Sequence, residues 1–112
     1  MTPKRTTVAR PTRSTEYALV FGTRQAEKSW QDLLATQRNA LVDAWDFLTR
    51  TPLERLPGNH RLRGSLSSIT RDGVEFEQWQ YELAGGARLW FYVTGQTVML
   101  VQVHTRHPNQ TK

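Results

Sequence analysis

Gly85-Gly86-Ala87-Arg88-Leu89-Trp90-Phe91-Tyr92-Val93, followed by Thr94-Gly95-Gln96-Thr97 and then Val98-Met99-Leu100-Val101-Gln102-Val103, is the stretch that decides the fold. β-branched and aromatic residues fill both apolar runs, and a short glycine-containing segment divides them. The spacing predicts two antiparallel strands joined by a tight turn. The second run stops at His104-Thr105-Arg106-His107-Pro108. Imidazoles and guanidiniums thus gather where a hydrophobic strand runs out, a place suited to holding a phosphate and moving a proton.

Side chains alternate across a strand. In the first run Ala87, Leu89, Phe91 and Val93 share one face, and Arg88, Trp90 and Tyr92 the other. The second set joins a cation to two aromatics, a combination that clamps phosphate and stacks bases. On the final strand Met99, Val101 and Val103 fall on one face, with Gln102, His104 and Arg106 on the other. If the turn sets the right register, Arg88 shares a face with His104 and Arg106, whereas a slip of one residue disperses them.

Upstream, Val74 to Ala84 reads as another strand, with Trp79, Tyr81 and Leu83 alternating against Gln78, Gln80 and Glu82. The alternation slips near Glu77, the mark of a bulge. Leu53 to Gly64 reads as a loop holding Pro57-Gly58 and the basic cluster His60-Arg61-Leu62-Arg63, in which Arg61 and Arg63 project to the same side of extended backbone. Further back, Trp30, Leu33, Leu34, Leu41, Trp45 and Leu48 recur at helical spacing, interrupted at Thr36-Gln37-Arg38-Asn39. This predicts a helical hairpin over 24–35 and 39–50, capped by Thr23 and Asn39 and ended by Pro52. That spacing assigns Trp30 and Trp45 to the core. Glu16 to Phe21 reads as a short strand stopped by Gly22, and 1–15, polar and basic with Pro3 and Pro11, as a flexible arm.

The order is strand, helix, helix, then three strands. An α+β domain follows, with the helical hairpin packed on one face of a small, mainly antiparallel sheet and the other face open. A chain of 112 residues supports one such domain, over 16–112. The formal charge of +5 and pI near 10.2 favour polyanionic partners. Most of the basic residues are Arg, whose planar fork suits bidentate phosphate recognition. The absence of cysteine rules out disulfides and thiol chemistry and fits a cytoplasmic setting. No run approaches a membrane span, and no leader is apparent. His104 and His107 have poor spacing for a metal, and no nucleotide-cofactor or serine-hydrolase fingerprint is present. Neither metal nor cofactor is expected. Metal-free RNA cleavage suits what remains, because a 2′-hydroxyl attacks its own phosphate once a base, an acid and cations are in place.

The strand, the helical hairpin, the loop ending in His60-Arg61-Leu62-Arg63-Gly64, and the closing strands with Arg88-Leu89-Trp90-Phe91-Tyr92-Val93 and Val103-His104-Thr105-Arg106-His107 together resemble the RelE/ParE toxin superfamily. The resemblance covers about residues 16–112. It implies the toxin of a type II toxin–antitoxin pair, a RelE-like endoribonuclease cutting mRNA in the ribosomal A site, with a small acidic or amphipathic antitoxin as partner. By position, Arg61 and Arg63 match the basic pair before the central strands, Arg88 the arginine opening the third strand, and Arg106 the arginine after the last. RelE-like enzymes commonly carry lysines at the first pair and a tyrosine near the C-terminus. Here those positions hold Arg61, Arg63 and the segment from His107, so His104 and His107 are the candidates for proton transfer. Two other readings share the residues: a non-catalytic inhibitor of DNA gyrase, as in the ParE branch, and a nucleic-acid-binding module using Arg61, Arg63, Trp90 and Tyr92.

Overall fold

Thr23 opens the first helix: its hydroxyl oxygen accepts from Ala26 N at 3.1 Å, satisfying one of the donors that a helix start leaves free. The computed structural model describes residues 7–106. In it, α1 (Arg24–Thr36) and α2 (Arg38–Arg50) form the expected hairpin. Asn39 is not the cap of the second helix. Gln37 both closes α1, donating its N–H to Leu33 O, and opens α2, so the two helices share one linking residue and Asn39 lies inside the second.

The strands are β1 (Ala18–Phe21), β2 (Asn59–Arg61), β3 (Ser68–Arg71), β4 (Val74–Glu77), β5 (Trp79–Glu82), β6 (Arg88–Thr94) and β7 (Thr97–His104). Five make the main sheet in the order β1-β7-β6-β5-β2; β1 runs parallel to β7 and the other pairs are antiparallel. Ala26, Trp30 and Leu33 of α1 and Leu41, Ala44 and Leu48 of α2 pack on Leu89, Phe91, Val98, Leu100 and Val103. Each large aliphatic side chain so buried contributes about 1.5–3 kcal/mol. The architecture is the two-layer α+β arrangement that the alternation predicts.

Two expectations change. The strand expected over 74–84 breaks at Gln78, whose backbone N–H donates to Ser67 O at 3.0 Å. Its first half, β4, pairs with β3 in a separate hairpin closed by Asp72 (φ 52°) and Gly73 (φ 78°), the pair of left-handed residues that suits a two-residue turn. The slip at Glu77 therefore marks a change of partner. The segment expected as loop also contains β2, whose three residues are too few to show alternation.

The pairing of β6 with β7 carries a bulge: Trp90 faces Gln102 and Phe91 faces Leu100, leaving Val101 as the extra residue. The phase of β7 switches there. Val98 and Leu100 join Val103 on the helical side, and Met99, opposite Tyr92, does not share their face. The expected grouping of Met99, Val101 and Val103 on one face is thus corrected.

Once β1 ends, the start of α1 takes over the edge of β7. Gly22 N donates to Leu100 O at 2.7 Å, Thr23 Oγ1 donates to Val101 O at 2.7 Å, and Gln25 bonds both backbone groups of Val103. A Cβ at Gly22 would meet Leu100 O at 3.1 Å, so the close approach favours glycine. At the other end of the sheet, Glu16 accepts from Arg13 N at 2.7 Å and pairs with Arg10 at 3.3 Å, while Gln96 Nε2 donates to Ser14 O at 2.9 Å. Arg10, Arg13 and Ser14, assigned by composition to the arm, thus make defined contacts. No helix among the described residues is long and apolar enough to cross a membrane.

Candidate functional site

Arg88 and His104 stand directly opposite each other on β6 and β7, and Glu82 stands opposite Arg88 on β5. A carboxylate, a guanidinium and an imidazole therefore form one row across three adjacent strands, on the face away from the helices. The register that brings Arg88 and His104 together is the productive one of those the sequence left open.

The Arg88 side chain is only 9% exposed, and its Nη1 lies 2.9 Å from Glu82 Oε1. The contact is an ion pair without hydrogen-bond alignment: Nε and Nη1 are sealed from solvent and neither makes a hydrogen bond. Nη2 is the guanidinium nitrogen that is not sealed. His104 is half-buried with Nε2 sealed and unpartnered, which leaves Nδ1 as the nitrogen open to a ligand. Burial lowers its pKa from the ordinary 6.5, so the imidazole is neutral at neutral pH. The pair combines a buried cation with unspent donors and a neutral proton acceptor beside it.

Trp90 packs edge-on to His104, with ring centroids 4.5 Å apart, and its Nε1 donates to Gln80 Oε1 at 2.9 Å. It is 1% exposed. Tyr92 is 6% exposed because Phe76 of β4 stacks on it at 4.5 Å. The expectation of free stacking platforms at these positions is corrected. The β3–β4 hairpin covers the end of the face where Tyr92 sits, and Trp90 supports the imidazole instead of projecting into solvent. The end of the face with Glu82, Arg88 and His104 keeps unspent polar atoms.

Arg61 and Arg63 are exposed on either side of buried Leu62. Arg61 is engaged: Nη1 lies 3.4 Å from Glu77 Oε2 and Nε donates to Ser67 O at 3.3 Å. It sits opposite Trp79, two strands from β6 and three residues along β5 from Glu82. Strand spacings put its backbone about 14 Å from that of Arg88. These arginines are outlying cations, separate from the Arg88–His104 pair. Arg106 is exposed just past β7, and His107 lies outside the described residues.

Glu82, Gln80 and Gln25 are the site-building residues that sequence reasoning passed over. The signal for the first two was present: both lie on the polar side of the alternating strand, next to the strand of Arg88 and Trp90. Gln25 left none, since its contact spans 78 residues of sequence.

No family model and no curated protein matches the chain. Two solved structures share its backbone. A dimer of YoeB from Staphylococcus aureus superposes with a TM-score of 0.59 at 12% identity, over 81% of this chain and 98% of that one. The chain has the YoeB fold. A copper-bound point mutant of a toxin from Helicobacter pylori matches with a TM-score of 0.56 at 15% identity, over 79% of this chain and 92% of that one. At these identities the likeness is one of architecture, a helical hairpin on a mostly antiparallel sheet in this chain. Among the described residues, no three His, Asp or Glu side chains gather as metal ligands.

Proposed function

We propose that this chain is the toxin of a type II toxin–antitoxin pair and cleaves translated mRNA in the cytoplasm as an endoribonuclease. The observation that carries this reading is the direct pairing of Arg88, with its unspent buried donors, and neutral His104 on the open end of a toxin-like sheet. Such a pair supplies two of the functions that cleavage by a 2′-hydroxyl needs. His104 Nδ1 takes the proton of the 2′-hydroxyl as its oxygen bonds to phosphorus. Arg88 Nη2 donates to a non-bridging oxygen as charge builds there. The bond from phosphorus to the 5′-oxygen breaks, and that oxygen takes a proton from the C-terminal segment, where His107 is the candidate acid. The products are a 2′,3′-cyclic phosphate and a 5′-hydroxyl. This scheme requires neither metal nor cofactor.

Arg61, Arg63 and Arg106, with the overall charge of +5, supply non-specific attraction to the phosphates of mRNA and ribosome. The same charge suits a small acidic antitoxin that covers the site. The test is 5′-end mapping of a translated mRNA after brief induction of the native chain, Arg88→Ala and His104→Gln. The expected result is cuts inside codons that vanish in both variants while their circular dichroism stays native. Arrested growth with intact mRNA would replace this reading with gyrase inhibition, and salt-sensitive RNA binding with neither cleavage nor arrest would leave a binding module.

A further inference from the structure

Gln80 is 5% exposed in the middle of the functional face, opposite Trp90 and one row from the Arg88–His104 pair. An indole N–H is a donor only, so the amide must turn Oε1 towards Trp90 Nε1, and the 2.9 Å contact shows that it does. The NH2 group is thereby fixed away from Trp90. Among the described residues Nε2 has no hydrogen-bond partner, yet it is not among the buried atoms sealed without one. A buried amide with one end tied and the other open is an oriented donor on the same face as the site, with His60 of β2 as its neighbour on the other strand.

Its position suits a particular ligand group. Gln80 is one strand across and two residues along from Arg88, which places their backbones about 8 Å apart. That is the scale separating a nucleotide's phosphate from the edge of its base. We propose that Gln80 is a specificity-determining residue, donating through Nε2 to a ring-nitrogen or carbonyl acceptor of the nucleobase whose phosphate rests on Arg88. This inference rests on the nuclease reading above. A rigid donor reads a base well because the tie to Trp90 removes the amide's freedom to flip and accept instead. Trp90 links the two functions, holding Gln80 by its indole N–H and His104 by its ring edge.

Gln80→Glu separates reading from support: a carboxylate still accepts from Trp90 Nε1 but has no N–H to offer the base. The 5′-ends of a translated mRNA are mapped with the native chain, Gln80→Glu and Arg88→Ala. The expected result is that Gln80→Glu still cuts, through Arg88, while its preference among nucleotides at the cut changes by about tenfold. Cutting by Gln80→Glu with the native preference would overturn the proposal and leave Gln80 as support for Trp90. Absence of any Arg88-dependent cut by the native chain would remove the nuclease reading and this inference together.

A second measurement does not depend on the variant folding. The Gln80 side-chain amide is followed by NMR in the native protein as each of the four nucleoside 3′-monophosphates, or inorganic phosphate, is added. Shifts that differ among the bases are expected. Equal shifts with all five, or none, would overturn the assignment.

Discussion

Gln25 grips Val103 through both backbone groups, donating from Nε2 to the carbonyl at 2.7 Å and accepting at Oε1 from the N–H at 3.0 Å. The side chain acts as a one-residue continuation of the sheet. Beyond Phe21 no strand among the described residues covers that edge of β7, and Val103 is the residue before His104. Gln25→Ala should lower unfolding free energy by about 1–2 kcal/mol, two part-buried hydrogen bonds at their usual net worth. Urea denaturation measures the loss, and faster hydrogen exchange confined to the end of β7 would locate it. A globally uniform change in exchange would contradict this account of how His104 is held.

Acid should weaken the fold through His104. Burial lowers its folded pKa below the unfolded 6.5, so between those two values the unfolded chain binds more protons. Stability therefore falls as pH drops through that window and is recovered in full above 6.5. His104→Phe should flatten this part of the pH–stability curve. NMR titration of the imidazole should give a midpoint below 6.5; a midpoint above it would remove the neutral proton acceptor from the proposed mechanism.

Glu82 is the counter-ion of a guanidinium that is nearly buried, while Glu82 itself is 43% exposed. Solvent screening at the carboxylate keeps the interaction well below that of a fully buried pair. Glu82→Gln should cost about 1–2 kcal/mol, chiefly by leaving Arg88 uncompensated. In an Arg88→Met background the same substitution should cost much less. Equal losses in the two backgrounds, measured by a double-mutant cycle, would show that the charges are not coupled.

Phe76→Ala should free the β3–β4 hairpin from the sheet. Phe76 is only partly buried and its main partner is Tyr92, so the expected loss is about 1–2 kcal/mol, less than for a core phenylalanine. Tyr92 should become accessible to solvent quenchers of fluorescence, and hydrogen exchange should accelerate over Ser68–Glu77. Retention of slow exchange in that hairpin would mean that it stands without the stacking contact.

The sequence by itself determined the element types wherever a period was long enough to read. Trp30, Leu33, Leu41 and Leu48 announce two amphipathic helices, and Leu89 and Phe91 against Arg88 and Trp90 announce a strand with two chemically different faces. The layered α+β plan follows because each apolar face must be covered. Tertiary structure decided what depends on partners far along the chain. It chose the register that sets Arg88 against His104, made Val101 a bulge, and ran β1 parallel to β7. It also buried Trp90 and Tyr92, which sequence reading left facing solvent. The alternation in a strand says which residues share a face, but whether that face meets water depends on what folds over it. Over Tyr92 the cover is a hairpin whose partly buried apolar residues, Ile69 and Phe76, are too few to announce it. The same holds for the site: the sequence supplied a buried-strand arginine and a terminal histidine, and strand pairing brought them together across 16 residues of chain.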